Sequence, residues 1–264
     1  MKIAWLFRMP HVSMRAWKVW RRDSRTFMKT YKANFIPPLM EPILYLLAFG
    51  FGLGLFVTQK IDGVSYANFI APALIAISMM NAAFFECTFS SFVRMYYQKT
   101  FDAIIATPLN IDEVITGEIL WGATKSTMYT TIVLGVVSAF GLVDSWLALL
   151  VIPFSFLAGL LFSGLGMIFT AVSPKIDALS YPTSLYITPM MLISGTFFPI
   201  AVFPEIIRQF SYLFLPLVHV VDITRALTLG TLSGSLLLSL AWIIIGTILV
   251  VIVSINMMRR RLIV

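Results

Sequence analysis

Six stretches of this chain are long and apolar enough to cross a lipid bilayer as helices. A helix needs about 20 mostly apolar residues to span the hydrocarbon core. The clearest stretch is 236–257, because no charged residue lies between Ser235 and Met258. The predicted spans cover about 35–57, 68–92, 114–140, 146–172, 179–198 and 236–257. This pattern predicts an all-α integral membrane protein whose transmembrane domain covers 35–264.

The amino-acid composition excludes an ordinary soluble fold. Hydrophobic residues make up 59% of the 264 residues and charged residues only 12%, whereas charged residues are about a quarter of a soluble domain. A soluble domain of this size needs more polar side chains to cover its surface. The fifth stretch is the least regular, because Pro182 and Pro189 interrupt it. Prolines are tolerated where neighbouring helices satisfy the freed backbone groups.

The first 34 residues combine positive charge with aromatic side chains. Nine Lys and Arg lie here, interleaved with aromatic residues that include Trp5, Trp17 and Trp20. The segment has neither the unbroken apolar run nor the small-residue cleavage site of a secretory signal peptide. The pattern favours an amphipathic helix over 1–34 that lies in the membrane interface, with its cations at the headgroups. The alternative is a disordered basic leader.

The distribution of Lys and Arg predicts the orientation of the spans. With both termini in the cytoplasm, the inner segments hold 15 of the 19 cations and the outer segments hold Lys60, Arg208 and Arg225. Cytoplasmic loops of membrane proteins carry such an excess. Because the cations flank apolar spans, anionic lipid headgroups are a better counter-charge for them than nucleic acid.

Four ionisable residues lie within the predicted spans: Glu41, Glu86, Glu118 and Lys125. A charge at the bilayer centre costs about 3 kcal/mol on insertion scales, so such residues usually face a bundle interior or a cavity. Glu118 and Lys125 are seven residues apart and share a helix face, at about 10 Å, which is too far for a direct ion pair. Each is therefore expected to meet another group. These residues serve either a substrate or proton pathway or a structural polar network.

The first cytoplasmic loop, 94–113, contains a short amphipathic pattern that ends at Pro108. Such a segment either lies along the membrane or docks into a groove on a soluble partner. The periodicity alone does not distinguish these two roles.

The outward segment 195–234 is apolar but interrupted, and its apolar part is too short to span. It suits a re-entrant helical hairpin covered by protein. Asp222 and Arg225 have the i,i+3 spacing of an ion pair, and His219 is expected to be a hydrogen-bonded interface residue. With two His and one Cys in the chain, no metal site is expected. The residues of this predicted re-entrant segment are Pro199, Pro204, Pro216, His219, Asp222 and Arg225.

Two sets of residues occur in a recognisable order along nearly the whole chain. The first set is Trp17, Trp20, Arg21 and Arg22, followed by Ser194, Gly195, Phe198, Pro199, Pro204, 215–217, His219, Asp222 and Arg225. The second set is Glu41, Pro42, Tyr45, 50–54, 63–66, Gly117, Glu118, 121–125 and 259–261. The first set resembles the permeases of ABC-2 type exporters, and the second makes the chain most similar to the nodulation J-type permeases within that group.

The resemblance implies a type-2 ABC exporter transmembrane domain in the bacterial inner membrane. Its parts are an N-terminal interfacial helix, six spans, a cytoplasmic coupling helix and re-entrant helices before the sixth span. The coupling helix falls within about 97–108, where it meets an ATPase. Its implied contact residues are Tyr97, Lys99, Phe101, Asp102, Ile104, Ile105 and Pro108.

The resemblance also implies the partners. Two permeases, as a homodimer or as a heterodimer with a close relative, surround a central pathway, and two ATPase subunits bind ATP and Mg below them. This chain is then a non-catalytic subunit without a cofactor of its own. J-type members are associated with the export of lipo-oligosaccharides, and near relatives move drugs or lipid-linked glycans. We therefore expect an amphiphilic substrate among the membrane lipids.

Two other classes of protein remain as alternatives. An ion-coupled secondary transporter would use Glu86, Glu118 or Lys125 without an ATPase. An intramembrane lipid-modifying enzyme would need paired carboxylates, but the adjacent pair Asp112–Glu113 suits a solvated helix start. The chain has no phosphate-binding loop, because no Gly is followed by Lys, so ATP-driven transport requires a second chain.

Overall fold

The computed structural model describes residues 3–56, 61 and 63–263, with main chain only at 3, 4, 32, 33, 37, 38, 51 and 55. Met1, Val57 and Val264 lie outside this range. They are terminal residues of the predicted N-terminal helix, first span and transmembrane domain. Among the described residues the secondary structure is helical, apart from one isolated bridge between Ile61 and Val64. This agrees with the predicted all-α class.

Eleven α-helices follow one another along the described chain, joined by 3-10 and π-helical turns. They are α1 Ala16–Lys29, α2 Tyr31–Tyr45, α3 Tyr66–Phe85, α4 Thr100–Ile105, α5 Ile111–Ala139, α6 Val151–Val172, α7 Ser180–Pro182, α8 Thr188–Ile193, α9 Glu205–Phe214, α10 Pro216–Leu229 and α11 Ser235–Ile263. The π-helical turns extend α2 over Leu46–Gly52 and α3 over Glu86–Ser90 and Val93–Tyr97.

The N-terminal segment is not one continuous helix. A 3-10 turn covers Ile3–Phe7, and α1 begins only at Ala16. The chain then bends by 92° between α1 and the helical stretch 34–50. The predicted helix over 1–34 therefore corresponds in part to α1, and the residues before α1 include Ser13 and Arg15, which contact Glu113 and Pro108.

Three helical stretches meet the length and hydropathy of a membrane span: Tyr66–Tyr97, Trp146–Val172 and Ser235–Ile263. The number rises to five if two bent pairs, α1 with 34–50 and α9 with α10, each count as one span. Helix α5 has 29 residues but is not among them, since charged and hydroxyl side chains lower its hydropathy. The predicted fifth span is broken into α7, a π-helical turn and α8. The number six therefore stays a prediction.

Helices α3, α5 and α6 form the centre of the bundle, where small residues allow close approach. A Cβ atom on Gly159 of α6 would lie 2.8 Å from the Cα of Ala123 on α5. A Cβ atom on Gly166 would lie 2.7 Å from the carbonyl oxygen of Phe84 on α3. In a membrane such contacts replace the hydrophobic drive that is absent between helices in lipid. The apolar window of α3 is 78% buried, whereas that of α11 is 17% buried, so α11 has the most lipid-accessible surface of the three.

Helices α9 and α10 meet at 89°, next to Pro216 at the first position of α10. Helix α9 is amphipathic and exposes Ile206 and Leu213, while most of α10 is buried in the bundle. Pro204 precedes α9, and Pro199 precedes a 3-10 turn at Ile200–Val202. Each proline stands at a helix start, where its missing N–H costs no intrahelical hydrogen bond.

Candidate functional site

A network of ion pairs around buried carboxylates joins α1, the C-terminal extension of α3 and the middle of α5. Glu118 is fully buried and accepts from Arg94 Nη2 at 2.5 Å and from Arg22 Nη2 at 2.7 Å. Glu86 accepts from Arg94 Nη1 at 2.8 Å and from Lys125 Nζ at 2.9 Å. We call these five residues, together with Asp23, the charge cluster. Buried charges persist in a low-dielectric interior only when they are paired.

The charge cluster confirms that Glu118 and Lys125 of the predicted third span each contact another charged residue. Glu118 and Lys125 do not pair with each other, and each binds a residue from a different helix. The seven-residue spacing correctly excluded their direct contact. No sequence pattern indicated the roles of Arg22 and Arg94, because both stand in basic or loop segments that are typical of headgroup-facing cations.

Helix α1 is held against α5 by shape as well as by charge. A Cβ atom on Gly117 would lie 2.5 Å from the Cβ of Val19 and 2.8 Å from the carbonyl oxygen of Ala16. The indole N–H of Trp20 donates to the hydroxyl of Thr124 at 2.8 Å, and the Trp20 ring packs edge-on against Trp121. A residue larger than glycine at 117 is therefore incompatible with this crossing.

Asp23 is the least compensated member of the charge cluster. Its Oδ1 accepts from Arg22 at 2.6 Å, but its buried Oδ2 has no hydrogen-bond partner within the described part of the chain. The pKa of the Asp23 carboxyl is raised to about 7, mainly by burial and in addition by the nearby Glu118 carboxylate, while Arg94 and Arg22 act in the opposite direction. This carboxyl therefore takes up a proton near neutral pH.

Glu41 lies apart from the other three predicted residues. It stands on the exposed side of α2, and no hydrogen bond or ion pair reaches its carboxylate from the described residues. It lines a cavity of about 250 Å³ that Lys125 and Tyr129 also line. The structure thus brings Glu86, Glu118 and Lys125 into one cluster and leaves Glu41 across a cavity from it.

The loop after α3, residues 94–113, contains the short helix α4. Lys99, which precedes α4, has a left-handed backbone (φ 52°). Asn110 then caps α5 in a capping box with Glu113. Tyr97, Lys99, Asp102 and Pro108 are exposed, and Ile104 and Ile105 are half-buried. The exposed residues form the outward face of α4.

Phe101 does not belong to that outward face. Its side chain is fully buried and packs in an apolar cluster with residues that include Phe92, Val114 and Ile115. The expectation that Phe101 contacts a partner is wrong for this reason: the apolar side of so short a helix is needed to hold it to its own subunit. Phe101 anchors α4 together with Ile104, which packs against the same apolar cluster, and the exposed residues face outward.

Residues near both ends of the described chain contact the segment that follows α4. Arg15 donates to the carbonyl oxygen of Pro108 at 2.8 Å, and the backbone N–H of His11 donates to Asp112 at 2.8 Å. Arg259 of α11 pairs with the same Asp112 carboxylate. The pair Asp112–Glu113, read from the sequence as a solvated helix start, is in fact buried at 2% exposure each. These contacts connect the segment after α4 to α1, α5 and α11.

Residues 14–229 match the ABC-2 type transporter family. The chain belongs to this family. ABC-2 permeases are membrane transport subunits without a catalytic site of their own, and this chain is a multi-pass membrane protein of that kind. The resemblance inferred from the ordered motifs is confirmed.

Curated relatives cover almost the whole ABC-2 chain. Nodulation protein J of Rhizobium leguminosarum bv. viciae is 38% identical over 245 residues, which is 92% of this chain and 93% of the relative. Nodulation protein J of Neorhizobium galegae is 35% identical, over 92% of each chain. The inner membrane transport permease YadH of Escherichia coli K12 is 25% identical, over 77% of this chain and 78% of its own.

The predicted re-entrant residues of this ABC-2 chain stabilise the packing around α10. His219 Nε2 lies 2.9 Å from the carbonyl oxygen of Tyr212 and its Nδ1 lies 3.1 Å from the hydroxyl of Ser239, so the hydrogen-bonded role is confirmed. Arg225 donates to the carbonyl oxygen of Gly195 at 2.9 Å and lies over the Phe69 ring. These contacts join α10 to α3, α9 and α11.

Proposed function

We propose that this chain is the permease subunit of an ATP-driven exporter for an amphiphilic molecule, such as a lipo-oligosaccharide, a lipid-linked glycan or a hydrophobic drug. Two copies surround the pathway and two separate ATPase subunits dock on their cytoplasmic faces. The chain crosses the inner membrane six times with both termini inside, α1 lies in the interface, and α9 with α10 is re-entrant.

The arrangement of α4 carries this proposal. Its outward face is accessible. The residues that anchor α4 and the loop after it, Phe101, Pro108 and Asp112, contact α1, α5 and α11. A push on α4 from a nucleotide-driven partner is therefore transmitted to the bundle as movement of packed helices. The family membership supports an ATPase partner, and the similarity to nodulation J proteins supports the lipo-oligosaccharide class.

The six-span topology is supported by α5 and by the broken fifth segment. Helix α5 is 29 residues long and is packed between α3 and α6, both of which meet the criteria for a span. Its charges are paired within the charge cluster, which removes the main cost of placing them in the membrane. A broken segment such as 179–198 is tolerated where neighbouring helices cover it.

The charge cluster weighs against an ion-coupled secondary transporter. Glu86, Glu118 and Lys125 are fixed by cations or carboxylates of their own subunit, and a transporter that releases protons through them would need to break several buried pairs. Removing one partner of such a pair costs about 3–5 kcal/mol. Their role is structural.

The decisive experiment combines co-purification with vesicle transport. The chain is co-expressed with a soluble ATPase that carries a phosphate-binding loop and is found by co-purification, and the complex is reconstituted with an acylated oligosaccharide. We expect ATP-dependent movement of the acylated oligosaccharide. Ala103→Glu, on the exposed side of α4, is expected to abolish co-purification, while the matched control Ala201→Glu, exposed in the 3-10 turn before α9, leaves it intact. Transport that follows a proton or sodium gradient without any ATPase would refute the proposal.

A further inference from the structure

Two open cavities of one subunit meet at Lys125. The lower cavity, about 520 Å³, lies between α1, the C-terminal extension of α3 and the middle of α5. The upper cavity, about 250 Å³, lies between α2, α3 and α5. Lys125 lines both, and the hydroxyl of Tyr129 donates to the carbonyl oxygen of Asn34 at 2.8 Å between them. We call the two cavities together the lateral cleft.

Several polar groups at the lateral cleft lack a partner. Arg22 Nη1 and Asp23 Oδ2 are buried without a hydrogen bond in the described part of the chain, and both residues line the lower cavity. The Glu41 carboxylate lines the upper cavity, also without a partner among the described residues. An unsatisfied polar group away from water costs free energy. A hydrogen-bonding ligand would supply the missing partners.

The charges at the lateral cleft are already paired within the subunit. Arg22 and Arg94 bind Glu118, and Arg94 and Lys125 bind Glu86. A phosphate would compete with these carboxylates for the cations, and an ammonium group would compete with the cations for the carboxylates, so either ligand would disrupt buried pairs. An uncharged ligand with both donors and acceptors leaves the pairs intact.

The other walls of the lateral cleft fit hydroxyl groups and apolar ring faces. Thr26, Thr30 and Asn34 line the lower cavity, and Ser78 and Asn81 line the upper one. Each of these side chains can both donate and accept a hydrogen bond. Aromatic rings stand beside them at Trp121, Phe89, Tyr45 and Tyr129. Apolar walls with a few converging polar groups are typical of small-molecule sites.

We propose that the lateral cleft binds the uncharged, hydroxylated sugar head of an acylated sugar from the cytoplasmic leaflet. The acyl chain stays in the lipid along the exposed apolar face of α2, at Ile36, Leu39, Met40 and Leu44. This inference rests on the proposed function and deepens it, because it gives one subunit a binding site of its own beside α1. The Arg22 and Asp23 side chains hold the head at the membrane surface, and Glu41 receives it at the upper end.

Cysteine protection tests the site without requiring transport. The single native thiol, Cys87, is fully buried, so an introduced cysteine is the reactive one. Thr26→Cys and Asn81→Cys place a thiol in the lower and upper cavities. Met28→Cys is the matched control, since Met28 is exposed on the same helix as Thr26 but does not line the cleft.

Each variant is reconstituted with its ATPase in phosphatidylcholine vesicles and labelled with a membrane-permeant maleimide. The probe is an acylated disaccharide mixed into the lipid, and the comparison probe carries a phosphate head on the same acyl chain. At a probe level ten times its dissociation constant, we expect the labelling rates at 26 and 81 to fall about tenfold. The rate at 28 stays unchanged, and the phosphate probe has no effect.

Any other pattern overturns the inference. Equal protection by the phosphate probe means that the cleft takes ordinary phospholipid headgroups, and equal protection at 28 means that the probe only coats α1. An absence of protection means that the cleft is not a sugar site, even if ATP-driven export is observed. Protection at 26 and 81 in a protein whose transport follows an ion gradient without any ATPase would leave the inference standing and refute the proposed function.

A second variant tests the role of Glu41 while preserving the shape of the site. Glu41→Gln removes the charge but keeps a side chain of the same length. Because a hydrogen bond to a charged group is stronger than one to a neutral group, we expect the dissociation constant for the disaccharide probe to rise about tenfold in the protection assay. Co-purification with the ATPase should not change. An unchanged dissociation constant would exclude Glu41 from the site.

Discussion

Arg94 and Glu118 lie 24 residues apart on different helices and are joined by two hydrogen bonds, of 3.0 and 2.5 Å, to the same carboxylate oxygen. This contact links the end of α3, just before Lys99, to the middle of α5. The same carboxylate also binds Arg22 of α1. Helix α4 is therefore connected to the bundle next to the fully buried carboxylate of Glu118.

Glu118→Gln is expected to destabilise the protein strongly. The change leaves Arg94 and Arg22 without their shared counter-charge, and breaking a buried pair from one side costs about 3–5 kcal/mol. Thermal unfolding of the detergent-solubilised protein measures the effect. The control is Glu205→Gln, because Glu205 pairs with Arg208 on an exposed surface and exposed pairs contribute about 0–1 kcal/mol. Equal effects for both variants would mean that the charge cluster is not structural.

Two glycines on α5 are expected to respond in opposite directions to alanine. Gly117→Ala places a Cβ atom 2.5 Å from that of Val19, so α1 must shift, at a cost of about 1–3 kcal/mol. Gly135→Ala has no atom within 4 Å of the new Cβ and should stabilise the helix by up to about 1 kcal/mol. The same unfolding assay compares them. Destabilisation at 135 but not at 117 would contradict the packing of α1 on α5.

Protonation of Asp23 is expected to make stability depend on pH. The folded-state pKa of about 7 lies above the ordinary aspartate pKa of 3.8, so between these values the folded protein holds one more proton than the unfolded chain. Stability therefore falls as the pH rises from about 4 to about 7. Unfolding measured across this range should show that slope for the native protein and a weaker one for Asp23→Asn. The charged neighbours Arg22, Arg94 and Glu118 remain in both proteins, and identical slopes would exclude Asp23 as the cause.

The two sides of α4 are expected to separate stability from partner binding. Phe101→Ala removes a fully buried ring and should cost about 3–5 kcal/mol. Asp102→Ala, at the neighbouring exposed position, should leave the unfolding temperature unchanged and weaken retention of the ATPase. Thermal unfolding and co-purification are measured on both variants. Loss of the ATPase with Phe101→Ala at full stability would reverse this assignment.

The family and the apolar segments could be recognised from the sequence, because both depend on local features or on motifs in a fixed order. A long uncharged run such as 236–257 predicts a helix without reference to any other part of the chain. The hydrogen-bonded role of His219 was also predictable, since a buried imidazole requires partners. The outward placement of Phe101 was predicted wrongly, because the periodicity of a six-residue helix does not determine which face is covered.

The helical fold, the membrane location and the membership of the ABC-2 permeases could all be predicted from the sequence. Hydropathy, charge distribution and ordered motifs are properties of the linear chain, so no three-dimensional contact has to be known to recognise them. The contacts of Arg22 and Arg94 with Glu118, the burial of Asp23 beside them and the cleft at Lys125 became visible only in the folded protein. Those contacts join residues up to about a hundred positions apart, and they depend on how α1 crosses α5, which helix packing in three dimensions sets and local spacing does not.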